Sequence, residues 1–378
     1  MRRVRGRFRL ALPLCIAKNP EIYDPPAGGR VTVFAVDPLT DKRWDEFQLS
    51  HPRAGIFHTC GWLQALQRTY DYRPVAFTTS EPGKTLANGM VFCEVNSWAT
   101  GRRLVSLPFS DHCDPLADSA AEEAEILAQV CRQAAQDRCR YAEIRPASGA
   151  GERPAADWRP SETFLLHVLP LNAPLERVFS NLHKDCIQRK VRRAEKEELR
   201  YEHGRSGPLL STFYGLLLRT RRRHCLPPQP FLWFRNLAES MGDAFNIRVA
   251  WKDQQPVAAI LTLSCKSTIT YKYGCSDERY NHLGGTPFLF WKAMQEAWRE
   301  GKQQFDLGRS DADNDGLIKF KDRLGAPRTV LSYRRWRPEA TAGASCPAWL
   351  AQIGRQVFHR LPDPLLVASG RLLYRHIG

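Results

Sequence analysis

Residues 271–325 read YKYGCSDERYNHLGGTPFLFWKAMQEAWREGKQQFDLGRSDADNDGLIKFKDRLG. Tyr271 and Tyr273 alternate with Lys272 in a β-prone run that predicts a strand. Gly284 and Gly285 punctuate the chain. Pro287 falls where a first helical turn tolerates proline. Phe288, Trp291, Lys292, Gln295 and Trp298 follow at helical spacing, and Gly301 supplies a stop. Phe305-Asp306-Leu307-Gly308-Arg309 reads as a short buried strand carrying one acid, and Lys319-Phe320-Lys321 as a basic turn. Paired glycines ahead of a helix are one way to hold a phosphorylated ligand on a helix N-terminus, which makes Gly284 and Gly285 candidate cofactor contacts.

Upstream of this stretch, Ala244–Trp251, Gln255–Cys265 and Ser267–Gly274 read as an antiparallel meander. Phe231–Met241 reads as an amphipathic helix, and so does the run that starts at Leu209 and ends in Arg219-Thr220-Arg221-Arg222-Arg223-His224. Those cations suit the negative end of a helix dipole as well as they suit a phosphate. Before them, HKDCIQRKVRRAEKEEL at residues 183–199 puts Ile187, Val191 and Ala194 on one helical side. Most of its charges form a solvated face. Arg192, one residue past a core-facing position, is a ligand candidate. A last strand spans Val330–Trp336.

The first half has the same grammar. Strands are expected at Val31–Val36, Pro74–Thr79, Ala87–Asn96, Arg103–Leu107, Tyr141–Arg145 and Phe164–Val168. Helices are expected at Asp41–Leu49, Phe57–Thr69 and Ala120–Gln136. Asp111-His112-Cys113-Asp114 forms a polar turn. Four contiguous ligands cannot converge on one ion without a sharp loop, so the turn is read as lining a cleft and not as a metal site. Asp311–Gly316 imitates the start of a calcium loop, with Asp322 at the twelfth position, but Lys319 and Lys321 lie inside it, so no metal is expected there.

The 378 residues suffice for two domains with sizeable cores. The formal charge of +15 implies an anionic partner without choosing among nucleic acid, nucleotide cofactor, phospholipid and membrane surface. No apolar run is long enough to span a bilayer. Eleven cysteines without a CxxC pair imply a reducing compartment. Residues 1–30 form a basic lead-in, residues 31–170 a first α/β unit, 171–338 a second, and 339–378 an amphipathic tail. The tail has the composition of a helix that rests on an anionic membrane, or one that packs on its own domain or on a partner.

The order of elements, with the motifs RKVRRA (189–194), QPVAA (255–259), YKYGCSD, GGTPFLFWKAMQEAWREG, FDLGRS and GLIKFK (316–321) followed by Leu324-Gly325, resembles the GNAT acyltransferases. It resembles most the branch shared by Fem-type (FemAB-related) peptidyl transferases and BioF2-like acetyltransferases. The resemblance implies an α/β fold of tandem GNAT-like units, each a mixed, mostly antiparallel sheet flanked by helices. It implies N-acyl transfer from acyl-CoA, acetyl-CoA foremost, to an amino sugar or cell-envelope precursor, in the cytoplasm or at the inner face of the plasma membrane. The implied site has Lys321 as oxyanion stabiliser and Asp306 or Asp277 as general base. Arg192, Arg189, Tyr271, Tyr273, Arg309 and Lys319 bind substrate or phosphate. Two alternatives stand beside it. One is an aminoacyl-tRNA-dependent peptidyl transferase, although no helical arm fits between Tyr201 and Phe245. The other is a non-catalytic nucleic-acid or lipid-binding protein on the same scaffold, with nucleic acid the less expected partner.

Overall fold

The computed structural model describes residues 31–147, 157–338 and 362–377. Its strands fall into two similar runs. In the first, β1 (Phe34–Val36), β2 (Arg73–Thr78), β3 (Met90–Ser97) and β4 (Gly101–Ser106) pair antiparallel in turn. The chain then crosses over through a helix at Ala120–Gln136, and β5 (Ala142–Ile144) lies parallel to β4. In the second, β7 (Arg200–Gly204), β8 (Phe245–Lys252), β9 (Gln255–Cys265) and β10 (Thr268–Ser276) repeat the meander. A helix at Gly285–Arg299 again crosses over to β11 (Gln304–Asp311), parallel to β10. Parallel neighbours cannot be joined by a hairpin, so each such pair encloses a helix.

The other two strands are exchanged between the halves. β6 (Arg159–Pro170) ends the first run but pairs with β11 of the second. β12 (Arg328–Trp336) ends the second run but pairs with β5 of the first. β6 and β12 also pair with each other, so one 12-stranded sheet runs β1-β2-β3-β4-β5-β12-β6-β11-β10-β9-β8-β7. The fold is mixed, mostly antiparallel and flanked by helices, as expected. The two units do not have separate sheets, however, because the strand before residue 170 hydrogen-bonds into the second half.

Helices cover the sheet where the sequence alternates apolar and polar at helical spacing. We number them α1 (Lys42–Ser50), α2 (Cys60–Tyr70), α3 (Ala120–Gln136), α4 (Leu175–Asn181), α5 (Arg189–Lys196), α6 (Gly207–Arg223), α7 (Phe231–Met241), α8 (Gly285–Arg299), α9 (Asp315–Arg323) and α10 (Asp363–Ile377). Several starts are written locally: Asp41, Thr59, Ser119, Ser206 and Asn314 each accept a backbone N–H from the first turn, typically about 1 kcal/mol apiece. Trp44, Trp62, Trp233, Phe213 and Phe234 belong to one core, under α1, α2, α6 and α7. Ile187, Val191 and Ala194 are buried as expected, in a second core with Phe288, Leu289 and Phe290 of α8. Helices α6 and α7 bury Leu210, Phe213, Leu217, Trp233, Phe234 and Leu237, so this helical pair lies on the core.

Two readings change, and a third falls outside the described residues. Lys319, Phe320 and Lys321 lie inside α9 and not in a turn; Asn314 caps that helix, with its side chain 3.2 Å from the Leu317 N–H. β7, whose RYEHG is polar and pairs only with β8, was not legible as a strand. The lead-in and the Trp349–Leu361 part of the tail lie outside the described residues.

Candidate active site

β10 and β11 stay in register for only three pairs: Thr268↔Gln304, Ile269↔Phe305 and Thr270↔Asp306. Beyond them the strands part. β10 shifts register against β9 between Tyr271 and Tyr273, and β11 shifts against β6 between Asp306 and Arg309. An extra residue bends the strand that carries it. Gly308 stands in the left-handed region at φ +70°, and a Cβ there would lie 3.2 Å from Asp111 Oδ2. Glycine is therefore required where β11 passes the loop after β4.

That loop, Leu107–Pro115, carries the DHCD turn into the second half. Its four side chains go to four different partners. Asp111 Oδ2 accepts from Lys272 Nζ of β10 at 2.9 Å. His112 Nε2 lies 2.9 Å from Asp306 Oδ2 of β11. Cys113 Sγ lies 3.4 Å from His58 Nε2, and Asp114 Oδ1 accepts from the Ala147 N–H at 2.7 Å. Tyr333 of β12 anchors the loop by donating to the Asp111 carbonyl at 2.6 Å, and Arg309 donates to the Tyr333 oxygen at 2.8 Å. Among the described residues, no three of His, Cys, Asp and Glu converge as a metal would require.

The result is a buried cluster of alternating charge. Burial disfavours the Asp111 carboxylate, but Lys272, Arg309 and Lys321 outweigh it and hold its pKa below the ordinary value. Burial lowers Lys272, with Asp111 opposing. For His112 burial is overcome by the hydrogen bond and charge of Asp306, helped by Asp114 and Asp111, and its pKa is raised. Asp306 is itself fixed by the Gly308 N–H, 2.7 Å from Oδ1. Lys321 is 2 % exposed and donates to the carbonyls of Gly308 and Arg309 at 2.8 and 2.9 Å. Burial brings its pKa down to about 8.

Two cavities are lined by residues of the parting strands. One, about 400 Å³, is lined by Tyr271, Gly274 and Phe320 inside and carries Lys190, Arg223 and Arg323. The other, about 260 Å³, is lined by His112, Asp114, Thr270 and Asp306, with Arg53 and Lys266. The first matches a phosphorylated, partly apolar ligand; the second sets two acids and a histidine against two cations, a polar lining of mixed charge.

Of the residues singled out in the sequence, Asp306, Arg309 and Lys321 meet at this cluster, and Tyr271 lines the larger cavity. Tyr273 does not line it: its oxygen accepts from Trp233 Nε1 at 3.0 Å, and its ring packs on Phe234 in the core. Asp277 caps the turn at Glu278–Leu283 and pairs with Arg219 and Arg279. The Arg279 hydrogen bond, against burial, lowers its pKa to about 2, the opposite of what a general base needs. Arg189 is exposed beside Asp185, Arg192 lies over the Phe179 ring at 5.7 Å, and Lys319 is exposed near Asp315. None of the three lines either cavity. Gly284, at φ +81°, is required for packing, since a Cβ would lie 2.3 Å from the Lys190 carbonyl oxygen. Gly285 lines the cavity.

Sequence reasoning missed Lys190, the neighbour of two basic residues it favoured, and it did not join Lys272 and His112 to the site. The signal for Lys272 was present: a lysine inside an otherwise apolar central strand needs a buried partner.

Residues 183–321 match the family model for a GNAT acetyltransferase domain. No curated protein sequence matches the chain. Among solved structures the chain is similar to FemX, with TM-score 0.62 and 14% identity over 84% of this chain and 98% of that one. It is similar to the C-terminal domain of a putative lysylphosphatidylglycerol synthetase from Agrobacterium fabrum, with TM-score 0.54 and 15% identity over 84% and 96%. A tandem GNAT protein from the clavulanic acid biosynthesis pathway gives TM-score 0.52 and 11% identity over 83% and 100%. At these identities the likeness concerns the fold, which is that of tandem GNAT-like proteins.

Proposed function

We propose that the chain, whose residues 183–321 match the family model for a GNAT acetyltransferase domain, transfers an acyl group from acyl-CoA to the amine of an amino sugar or cell-envelope precursor. The observation that supports this reading is the parting of β10 and β11 beside a basic-rimmed cavity and a second, polar one that holds His112 and Asp306. A thioester donor seated in the larger cavity has its phosphates near Lys190, Arg223 and Arg323 and its acyl end toward Tyr271. The acceptor ammonium enters the smaller cavity, where Asp114 and Asp306 attract it.

An ammonium must lose a proton before its nitrogen can attack a carbonyl. His112, oriented by Asp306 as a base is oriented by a carboxylate in other transferases of protons, takes that proton. The nitrogen–carbon bond then forms, and as the carbon–sulfur bond breaks the nitrogen's second proton passes to the departing thiolate, which leaves as the thiol. Burial raises the Tyr271 pKa, so its hydroxyl keeps its proton and serves as a hydrogen-bond donor to the leaving sulfur. Lys321 has two N–H groups committed to β11 carbonyls. It holds the parted strand in place, and its third N–H is the one that remains for the developing oxyanion.

The test is thermal stabilisation by a set of acyl-CoAs, followed by mass spectrometry of acylated amines in cell extract. Stabilisation by one acyl-CoA and an acylated amine that depends on His112 support the proposal. A second reading, transfer from aminoacyl-tRNA, draws on the Fem-like fold and on the charge of +15. It gains if aminoacyl-tRNA is consumed and no acyl-CoA binds. Salt-sensitive RNA binding without turnover of either donor defeats both.

A further inference from the structure

Helix α10 is held by one side. Leu366 is fully buried, and Gly370 lies so close to the Pro228 carbonyl that a Cβ would be 1.9 Å from its oxygen. His376 Nδ1 lies 2.8 Å from Ser97 Oγ, and Arg103 donates to the His376 carbonyl at 2.6 Å. Tyr72 donates to the Tyr374 carbonyl at 3.0 Å. This docking fixes which face looks outward.

The outward face is apolar and basic. Leu365 is 56% exposed and Leu372 59%, seven residues apart and so on one side of the helix. One turn further, Trp98 of the β3–β4 connection stands 85% exposed with its ring 5.2 Å from that of His376. The row from Leu365 to Trp98 is roughly 16 Å long at the helical rise. Beside it runs a cavity of about 720 Å³ lined by Arg68, Phe231, Val367, Arg371, Leu372 and Arg375. The charges facing this surface are Arg68, paired with Glu239, Arg375, 3.7 Å from Asp71, Arg371, and Asp363, paired with Arg222 at the far end. No described helix is long and apolar enough to cross a membrane.

We infer that the outer face of α10, together with Trp98, is a docking surface for an anionic phospholipid bilayer, with the helix lying in the plane of the interface. Leucines and a tryptophan in a row insert at the boundary between headgroups and acyl chains, where an amphipathic indole is favoured. Arg371, Arg375 and Arg68 meet the lipid phosphates. The +15 charge of the chain draws it to the same surface. The inference does not rest on the proposed chemistry, since neither His112 nor Lys321 takes part.

The full chain is mixed with vesicles of phosphatidylglycerol and phosphatidylcholine in equal parts, and separately with vesicles of phosphatidylcholine alone, and bound protein is sedimented. The expected result is binding to the anionic vesicles, weakened by salt and little seen on the neutral ones. Trp98→Ser with Leu372→Ser should weaken it about tenfold or more. Arg371→Glu, on an exposed residue, should weaken it while leaving the melting temperature in place. The melting temperature of each variant reports whether α10 stays docked. Equal binding by wild type and the Arg371→Glu variant, equal binding to both vesicles, or no binding by the wild type overturns the inference. So does a wild-type dimer that Leu372→Ser makes monomeric, because the surface would then belong to a second copy of the chain.

Discussion

In the proposed reaction a proton needs a destination before the amine can be acylated, and His112, hydrogen-bonded to Asp306, is the group assigned to take it. The Asp306 carboxylate favours protonated imidazole, so activity should rise with pH through a value above the ordinary histidine 6.5. Asp306→Asn removes that carboxylate, and the rising limb of kcat/KM should move to lower pH. A limb that stays in place would take Asp306 out of this role. His112→Ala should lower kcat by about 10²–10⁴, the usual worth of a positioned acid or base. Lys321 makes a separate prediction for stability. Its folded pKa of about 8 lies below the unfolded 10.5, so below pH 8 both states bind the proton and the whole cost of burying the ammonium is present. From pH 8 upward the folded state releases the proton first, and stability should rise by up to ~3 kcal/mol by pH 10.5. Denaturant melts of wild type and Lys321→Met at pH 8 and pH 9.5 should diverge in that direction. Parallel curves would show that Lys321 is not buried as an ammonium.

Among the elements, α8 is the scaffold of the second half, and its start is set by packing. Gly284 approaches the Lys190 carbonyl too closely for any side chain and has a left-handed backbone. Gly284→Ala should therefore destabilise by at least about 2 kcal/mol, from strain and clash together. If the glycine instead served chiefly as a phosphate cradle, the variant would keep its stability and lose affinity for the donor. Urea unfolding beside acyl-CoA binding separates the two. The same close approach carries Lys190 of α5 to the rim of the larger cavity, so α5 and α8 frame that cavity jointly. The expected basic face of α5 is thus mostly solvated, and the cation of this helix that lines the cavity is Lys190.

In the whole molecule, the exchange of β6 and β12 ties the halves into one sheet. Neither half can then unfold without exposing the edge of the other. Thermal unfolding followed by far-ultraviolet circular dichroism and by tryptophan fluorescence should give coincident transitions. Two separated transitions would mean that the halves are independent. The exchange also places Tyr333 of β12 under the β4 loop, where it donates to the Asp111 carbonyl. The last strand among the described residues thereby positions residues of the first half in the candidate site beside β10 and β11.

Much of this was legible locally. The meander of β8, β9 and β10, the spans of α3 and α7, and the buried row of Ile187, Val191 and Ala194 follow from periodicity and caps, which act over a few residues. Local signals failed at β7, whose polar residues are held by one neighbour, and at α9, where Gly316 in an acidic run concealed a capped helix. The partners of charged groups were beyond their reach. Asp277 and Asp306 are equal candidates in sequence. One is pinned by two arginines and held at a pKa of about 2, and the other orients a histidine 194 residues away in the chain. The sequence by itself determined the elements and the kind of sheet, because backbone propensity and apolar spacing are properties of neighbours in the chain. Only the tertiary structure decided which charges share a site and which strands belong to which half, because burial and electrostatic pairing depend on residues that the fold brings together from far apart.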